Sequence, residues 1–207
     1  MRIRPVSHEA LVARVVARIA SMPDWVRVAV DGADAARPGE LADALAGPLR
    51  ERGRPTVRVR AEDHLRAASL RFERGREDPD SFYEDWLDAA GLVREVLDPL
   101  GRGGDGRIRP VRFDARNDRA SRAGFVAVAP GTVLLLSGPL LLGRGLPLEL
   151  TVHLELGAAA LARRTPPALA WTLPAYERYA TEVQPGAWAD LVVRVDDPRH
   201  PAVIERD

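Results

Sequence analysis

The chain has 207 residues, of which 46% are hydrophobic and 29% charged, as expected for one ordinary globular domain spanning 1–207 with a sizeable core. Lys+Arg and Asp+Glu are both 30, and this zero formal net charge gives no electrostatic reason to bind nucleic acid or a membrane surface. The sequence contains neither cysteine nor lysine, which excludes disulfides, thiolate nucleophiles, iron–sulfur clusters and Schiff-base catalysis.

The first part of the chain predicts helices and strands in alternation. Ser7 is a suitable N-cap for an amphipathic helix to about Ala20, so residues 1–24 form an N-terminal helical segment. A strand follows at Val26–Val30 and ends at Asp31-Gly32. A helix at Glu40–Arg52 is stopped by Gly53, and the next strand is predicted at Thr56–Arg60.

The middle of the chain, residues 61–118, is polar and rich in Arg, Asp and Gly. Its pattern predicts one helix at Phe82–Leu97 and a strand at Ile108–Phe113. Long connections in compact domains are often functional, so we interpret this segment as an insertion on the substrate side of the domain.

The last part of the chain predicts strands separated by helices. The clearest buried strand is Gly131–Gly138, and the remaining predicted elements are strand Leu148–Leu156, helix Ala158–Arg164, helix Trp171–Val183 and strand Asp190–Val195. This alternation predicts a three-layer α/β domain with a mostly parallel sheet and helices on both faces. Ligands bind such sheets beyond the carboxyl ends of the strands, which places functional candidates at 31–40, 60–66 and 137–138.

Several segments near these strand ends follow one another in a characteristic order. They are Val28–Gly32, Val59–Arg66, Arg74–Tyr83, Leu97–Gly101 and Arg112–Asp118. From about Val26 to Val195 the sequence resembles the uridine kinase-like group of P-loop kinases. The resemblance implies a P-loop NTPase-like fold and transfer of a phosphoryl group from Mg·ATP to a nucleoside or similar hydroxyl compound.

The phosphate-binding loop departs from the pattern Gly-x-x-x-x-Gly-Lys-Ser/Thr of that group. Arg37 replaces the second glycine, Pro38 the lysine and Gly39 the metal-binding hydroxyl, while Ser137 stands where an acidic residue would assist the metal. Proline removes one of the amide groups that face phosphate oxygens. We therefore predict impaired Mg·ATP binding, with Mg·ATP a cofactor only if kinase activity is retained. The positions matching the nucleotide site are Gly32, Asp34, Arg37 and Gly39.

The resemblance also assigns catalytic positions. Glu62 matches the general base that takes the acceptor's hydroxyl proton, and Arg163 and Arg164 match lid arginines that stabilise the transferring phosphoryl group. For Glu62 the alternative is a solvated acidic turn. For the arginine pair we favour the alternative of a basic helix end that interacts with its own dipole.

Four positions match the acceptor-contacting residues of that group: Asp63, Glu77, Phe113 and Asp114. Glu77 would hold the ribose hydroxyls and Phe113 the base, which needs an aromatic or apolar wall. The alternative is that residues 71–80 are a solvated run of charges.

Other classes of site find no support in the sequence. The four histidines lack metal-ligand spacing, so no metal site is predicted, and Ser137 lacks the Gly-x-Ser-x-Gly pattern of a hydrolase nucleophile. The first residues lack the apolar core of a signal peptide, so a cytoplasmic protein is expected.

Two functional hypotheses remain. One is a degenerate kinase that binds a small-molecule nucleoside or related ligand, and the other is an active ATP-dependent phosphotransferase. Nothing in the sequence indicates an oligomeric state or a protein partner that would supply missing groups.

Overall fold

The computed structural model describes residues 2–205, and its centre is a seven-stranded sheet in the order β1-β11-β10-β9-β2-β8-β3. The strands are β1 (Arg2–Pro5), β2 (Val26–Asp31), β3 (Thr56–Arg60), β4 (Arg107–Ile108), β5 (Phe113–Asp114), β6 (Arg119–Ala120), β7 (Val126–Ala127), β8 (Val133–Gly138), β9 (Leu150–Glu155), β10 (Leu191–Arg194) and β11 (Ala202–Glu205). The helices are α1 (His8–Ala20), α2 (Pro38–Glu51), α3 (Ala68–Arg71), α4 (Pro79–Glu84), α5 (Ala89–Leu92), α6 (Ala158–Arg164), α7 (Leu173–Glu182) and α8 (Pro185–Trp188).

The five strands from β10 to β3 run parallel, which confirms the predicted mostly parallel sheet. Only the far edge is antiparallel, because β11 pairs with β10 on one side and with β1 on the other. The sequence analysis missed both strands. Each has four residues, and β1 carries one apolar side chain, Ile3, so neither shows the alternation by which a strand is recognised.

Apolar residues cover both faces of the sheet. On one face, α1 and α2 pack their buried leucines, valines and alanines against β2, β8, β9 and β10. Ser7 caps α1 as predicted, with its hydroxyl accepting from the Ala10 amide at 3.1 Å. The other face packs against α5 and the π-helical turn Val93–Leu97 that follows it. The domain therefore has three layers.

The predicted helix at Phe82–Leu97 is broken in the structure. It consists of α4 and α5 with residues 85–88 between them. Each piece has its own N-cap carboxylate: Asp78 accepts from the Ser81 amide at 2.6 Å and Asp88 from the Gly91 amide at 2.9 Å. A new cap begins a new helix, so the apolar periodicity continues across a break in the backbone.

Two other predicted elements are shorter than expected. The predicted strand at Ile108–Phe113 forms only at its two ends, as β4 and β5, which pair with β7 and β6 respectively. The predicted helix at Trp171–Val183 begins with a 3-10 turn at Pro167–Thr172 and becomes α-helical only in α7.

An aromatic cluster joins α4 to α7. Phe82 lies within 5.1 Å of Trp86, 5.7 Å of Trp171 and 5.8 Å of Tyr176, measured between ring centroids in edge-to-face arrangements. Such ring pairs stabilise the folded protein by more than the burial of their surface alone would. Through this cluster, the polar middle of the chain packs against the helices that follow β9. Among residues 2–205, no helix is long and apolar enough to cross a membrane.

Candidate functional site

The segment between β2 and α2 is the one that the resemblance assigns to the phosphate-binding loop. Gly32 begins it with a φ of 156°, and a Cβ there would lie 2.9 Å from the Leu154 carbonyl oxygen, so only glycine fits. A 3-10 turn at Asp34–Ala36 follows. Arg37 then takes the left-handed conformation, with φ 58° and ψ 53°, directly before α2 begins at Pro38.

Three backbone amides of this segment are engaged within it. The Ala36 amide donates to the Ala33 carbonyl at 2.7 Å, and the Arg37 amide to the Asp34 carbonyl at 2.9 Å. The Glu40 amide donates to the Arg37 carbonyl at 3.1 Å, and Pro38 has no amide hydrogen. A phosphate site at a helix N-terminus needs several free amides that point outward together. In this segment the Ala36, Arg37 and Glu40 amides are already engaged and Pro38 has none.

A cavity of about 320 Å³, which we call the Arg37 cavity, opens beside this segment. It brings together the predicted residues Asp34, Arg37, Gly39 and Glu62, and its other lining residues are Pro38, Glu40, Asp43, Arg60, Ser137, Gly138 and Pro139. Its four carboxylates outnumber its two arginines. Each arginine is already near a carboxylate, since Arg37 lies 3.4 Å from Glu40 and Arg60 lies 3.4 Å from Glu62.

The acidic character of the Arg37 cavity also affects protonation. Burial, and secondarily the charge of Glu62, raises the pKa of the Asp34 carboxyl above its ordinary value. Crowding of carboxylates is unfavourable for a phosphate group, which carries negative charge itself. Among residues 2–205, no group of three or more His, Cys, Asp or Glu side chains is placed to hold a metal ion.

Arg58 is a neighbour of this cavity that the sequence analysis missed. Its guanidinium donates to the Ser137 hydroxyl at 3.0 Å and to the Asp43 carboxylate at 2.7 Å, and it also contacts the Leu135 carbonyl. A fixed positive charge thus lies beside the position that the resemblance gives to a metal-assisting carboxylate. The sequence of β3 could have predicted the position of Arg58, because side chains alternate between the two faces of a strand. Val59 faces the apolar layer under α5, so its neighbour Arg58 must face the α2 side.

The acceptor-contacting positions are dispersed. Glu77 is exposed in a turn before α4. Asp63 and Phe113 are close along the backbone, since the Arg112 amide donates to the Asp63 carbonyl at 3.0 Å, and burial raises the pKa of the Asp63 carboxyl. The Arg37 cavity is lined by none of the four residues predicted to contact the acceptor.

Asp114 has a local structural role in the turn between β5 and β6. Its carboxylate accepts from the Asn117 side chain at 2.7 Å and from the Arg116 and Asn117 amides at 3.2 Å. These hydrogen bonds, with that of the Asn117 side chain the largest, lower the pKa of the Asp114 carboxyl. Its oxygens are therefore occupied by the turn.

The arginine pair ends α6. Arg164 donates to the Val195 carbonyl at 2.7 Å, which ties the helix end to the end of β10. Arg163 is exposed, and neither arginine lines the Arg37 cavity. The position at the last turn of a helix is the one at which a basic side chain interacts favourably with the helix dipole.

A buried polar network lies on the other side of β2, and the sequence analysis did not predict it. Asp31, fully buried, accepts at Oδ2 from His153 Nδ1 at 2.7 Å and from the Tyr179 hydroxyl at 3.0 Å. Its Oδ1 accepts from the Leu141 amide at 2.9 Å. Asp31 and His153 are register partners on β2 and β9, although 122 positions separate them.

Beside this network is a second cavity of about 270 Å³, the His153 cavity. Its lining includes Ala33, Leu140, His153, Glu155, Leu156, Leu161, Tyr176, Tyr179 and Gln184. Burial raises the pKa of the Tyr179 hydroxyl far above its ordinary value, so Tyr179 stays protonated and donates to Asp31. The carboxyl edge of the sheet thus carries two separate cavities, one on each side of the segment after β2.

No known family model matches this sequence, and no curated protein matches it. Its fold does match solved structures. A possible uridine kinase from Bacillus stearothermophilus superposes with a TM-score of 0.71 over 89% of this chain and 97% of that one, at 17% identity. A candidate fructose transport system kinase from Silicibacter sp. TM1040 gives a TM-score of 0.58 over 77% of this chain and 79% of that one, at 25% identity. The chain therefore has the fold of the uridine kinase-like P-loop kinases, which confirms the predicted fold class.

Proposed function

We propose that this chain is a kinase-fold protein that has lost productive binding of Mg·ATP and acts as a binding module for a nucleoside or a related hydroxyl compound. The observation that carries the proposal is the state of the segment after β2. The Ala36, Arg37 and Glu40 amides are used within that segment, and Pro38 has none. A triphosphate would have to displace these hydrogen bonds before it could be held.

The residues around the Arg37 cavity do not fit Mg·ATP on two further grounds. Glu40 places a carboxylate at the start of α2, where phosphate would lie; its side chain is 68% exposed and lies 3.4 Å from Arg37. A magnesium ion beside Ser137 would lie close to the Arg58 guanidinium, which is 3.0 Å from the Ser137 hydroxyl. Two cations so close together repel each other. The site is thus unfavourable to both the phosphates and their metal.

The second candidate is an active phosphotransferase, and one observation favours it. Glu62, the position matching the general base, lines the same cavity as Arg37 and Arg60, so a carboxylate and two guanidinium groups do converge there. Transfer of phosphate from ATP to uridine by the purified protein would favour this candidate over the binding module.

Calorimetric titration of the purified protein with ATP, with and without magnesium, tests the proposal directly. We expect no magnesium-dependent binding heat at ATP concentrations up to the millimolar range, because three amides near the start of α2 are engaged and the described part of the chain holds no cluster of metal-binding side chains. The same protein titrated with uridine is expected to bind. Magnesium-dependent binding of ATP at micromolar concentration would overturn the proposal and favour the active phosphotransferase instead.

A further inference from the structure

The His153 cavity has the features of a ligand site rather than of a packing defect. Asp31 accepts hydrogen bonds from three groups, the His153 ring, the Tyr179 hydroxyl and the Leu141 amide. With Asp31 as the acceptor of this contact, His153 Nδ1 carries the proton that it donates. In the neutral imidazole Nε2 is then a hydrogen-bond acceptor, and no described residue hydrogen-bonds to it.

A second acceptor stands on the same wall. His153 and Glu155 are two residues apart on β9, so both project from the same face of the strand, about 6–7 Å apart along it. Leu154, between them, projects into the opposite layer. Arg194 binds only Oε2 of Glu155, at 3.1 Å, and no described residue hydrogen-bonds to Oε1. The wall therefore offers two acceptor side chains at successive positions on one face of β9.

The remaining lining determines which ligand fits. Leu140, Leu161 and the ring of Tyr176, which belong to one apolar cluster, add apolar surface to this lining. The lining within residues 2–205 includes no arginine, so nothing there would neutralise a phosphate. A volume of about 270 Å³ corresponds to about nine water molecules, enough for one ring with its substituents.

We propose that the His153 cavity binds an unphosphorylated single-ring polyol, such as a pentose, through ligand hydroxyls that donate to His153 Nε2 and Glu155 Oε1. The C–H face of the ring lies against the apolar wall. This inference deepens the proposed binding function and rests on it, and it places the ligand away from the Arg37 cavity. The Asp31–His153 pair acts as a fixed acceptor whose orientation is set by the buried carboxylate.

The test is a titration of the full-length protein with D-ribose, followed through the imidazole Cε1–H NMR signals of its four histidines. We expect the His153 signal to shift in a saturable way while those of His8, His64 and His200 stay in place. Ribose 5-phosphate is expected to bind no more tightly than ribose. A His153 signal that does not move up to high ribose concentration overturns the inference, as does a clear preference for the phosphorylated sugar.

A variant locates the binding more sharply. His153→Asn keeps a side-chain N–H near the place of Nδ1, so Asp31 retains its donor, but it removes the Nε2 acceptor. We expect ribose to bind about three- to tenfold more weakly. His200→Asn is the matched control, since His200 Nδ1 makes the same kind of contact with Asp197, at 3.0 Å, on an exposed surface. Its affinity for ribose is expected to equal that of the unmodified protein.

Other outcomes separate this inference from the proposed function. If uridine or ribose binds without a shift of His153, and Glu62→Gln abolishes that binding, the ligand sits in the Arg37 cavity. The inference then fails while the proposed binding function stands. If neither ligand binds while Mg·ATP does, both fail together. If His153→Asn does not fold, Glu155→Ala, which removes the other acceptor, replaces it, with the same expected loss of affinity.

Discussion

His64, in the 3-10 turn that follows β3, is a fully buried histidine whose two ring nitrogens differ in their surroundings. Nε2 lies 3.0 Å from the Pro110 carbonyl oxygen, so it donates, whereas Nδ1 is buried without a partner. Protonation of Nδ1 would bury a charge that no acceptor receives. The groups around the ring are Arg109, Arg112 and Glu95, and burial is the main reason that the pKa of His64 lies below its ordinary value.

This lowered pKa makes folding stability depend on pH in a definite direction. The unfolded chain takes up a proton at about pH 6.5, while folded His64 does not until a lower pH. Between these values the unfolded state binds more protons, so the free energy of unfolding falls as the pH falls from 7 towards 5. We expect urea unfolding of His64→Gln to show a weaker pH dependence over this range, because glutamine can still donate to Pro110 but does not titrate.

The readout of this comparison is the slope with pH and not the absolute stability, which the loss of a buried ring lowers at every pH. His8→Gln, on the exposed first turn of α1, controls for the removal of a histidine. If His64→Gln keeps the full pH dependence, another group is responsible for it.

At the scale of elements, the strands that carry the site are recognisable from sequence because of their composition. β2, β8, β9 and β10 are mainly apolar runs, and a parallel sheet buries such runs on both faces. The edge strand β3 instead alternates valine with arginine. A change in the segment after β2 is also predictable from the sequence, since Pro38 in place of lysine removes one amide hydrogen. The individual hydrogen bonds of Ala36, Arg37 and Glu40 depend on the 3-10 turn at Asp34–Ala36, which no sequence pattern predicts.

The segment after β2 can be tested by restoring the pattern. In the variant Arg37→Gly/Pro38→Lys/Gly39→Thr, position 38 regains an amide hydrogen and gains a cation, and position 39 gains a hydroxyl suited to magnesium. We expect magnesium-dependent ATP affinity to rise at least about tenfold, measured by calorimetry, since two or more charge-assisted contacts of about 1.5–3 kcal/mol each are added.

Pro38→Ala is the matched control for this variant. It restores the amide alone and is expected to gain far less. No gain in the triple variant would mean that the loss of ATP binding extends beyond these residues, to Glu40, Ser137 or Arg58.

At the scale of the whole molecule, the sequence could not predict the features that depend on contacts between distant elements. Asp31 and His153 meet only because β2 and β9 pair in one register, and Tyr179 joins them from α7. No local pattern carries that information, so the His153 cavity was not predictable. The Arg37 cavity was, because its residues come from strand ends that a parallel sheet brings to one edge. Asp114 and Glu77 lie outside both cavities, because their surroundings are set by local turns in the insertion.

The antiparallel edge formed by β11 and β1 offers a test of whether the molecule unfolds as one unit. Val203 of β11 is fully buried and belongs to the same apolar layer as α1 and α2, whereas Ile3 of β1 is 45% exposed. We expect Val203→Ala to lower the free energy of unfolding by about 1–3 kcal/mol, because two buried methyl groups are lost. Ile3→Ala, on the neighbouring strand, should change it by no more than about 0.5 kcal/mol.

The loss in Val203→Ala should be the same by far-UV circular dichroism and by tryptophan fluorescence, since Trp86 and Trp171 pack 5.6 Å apart in the aromatic cluster. A shift seen by circular dichroism alone would show instead that the edge strands unfold separately, and that the sheet core and the aromatic cluster are stable without them.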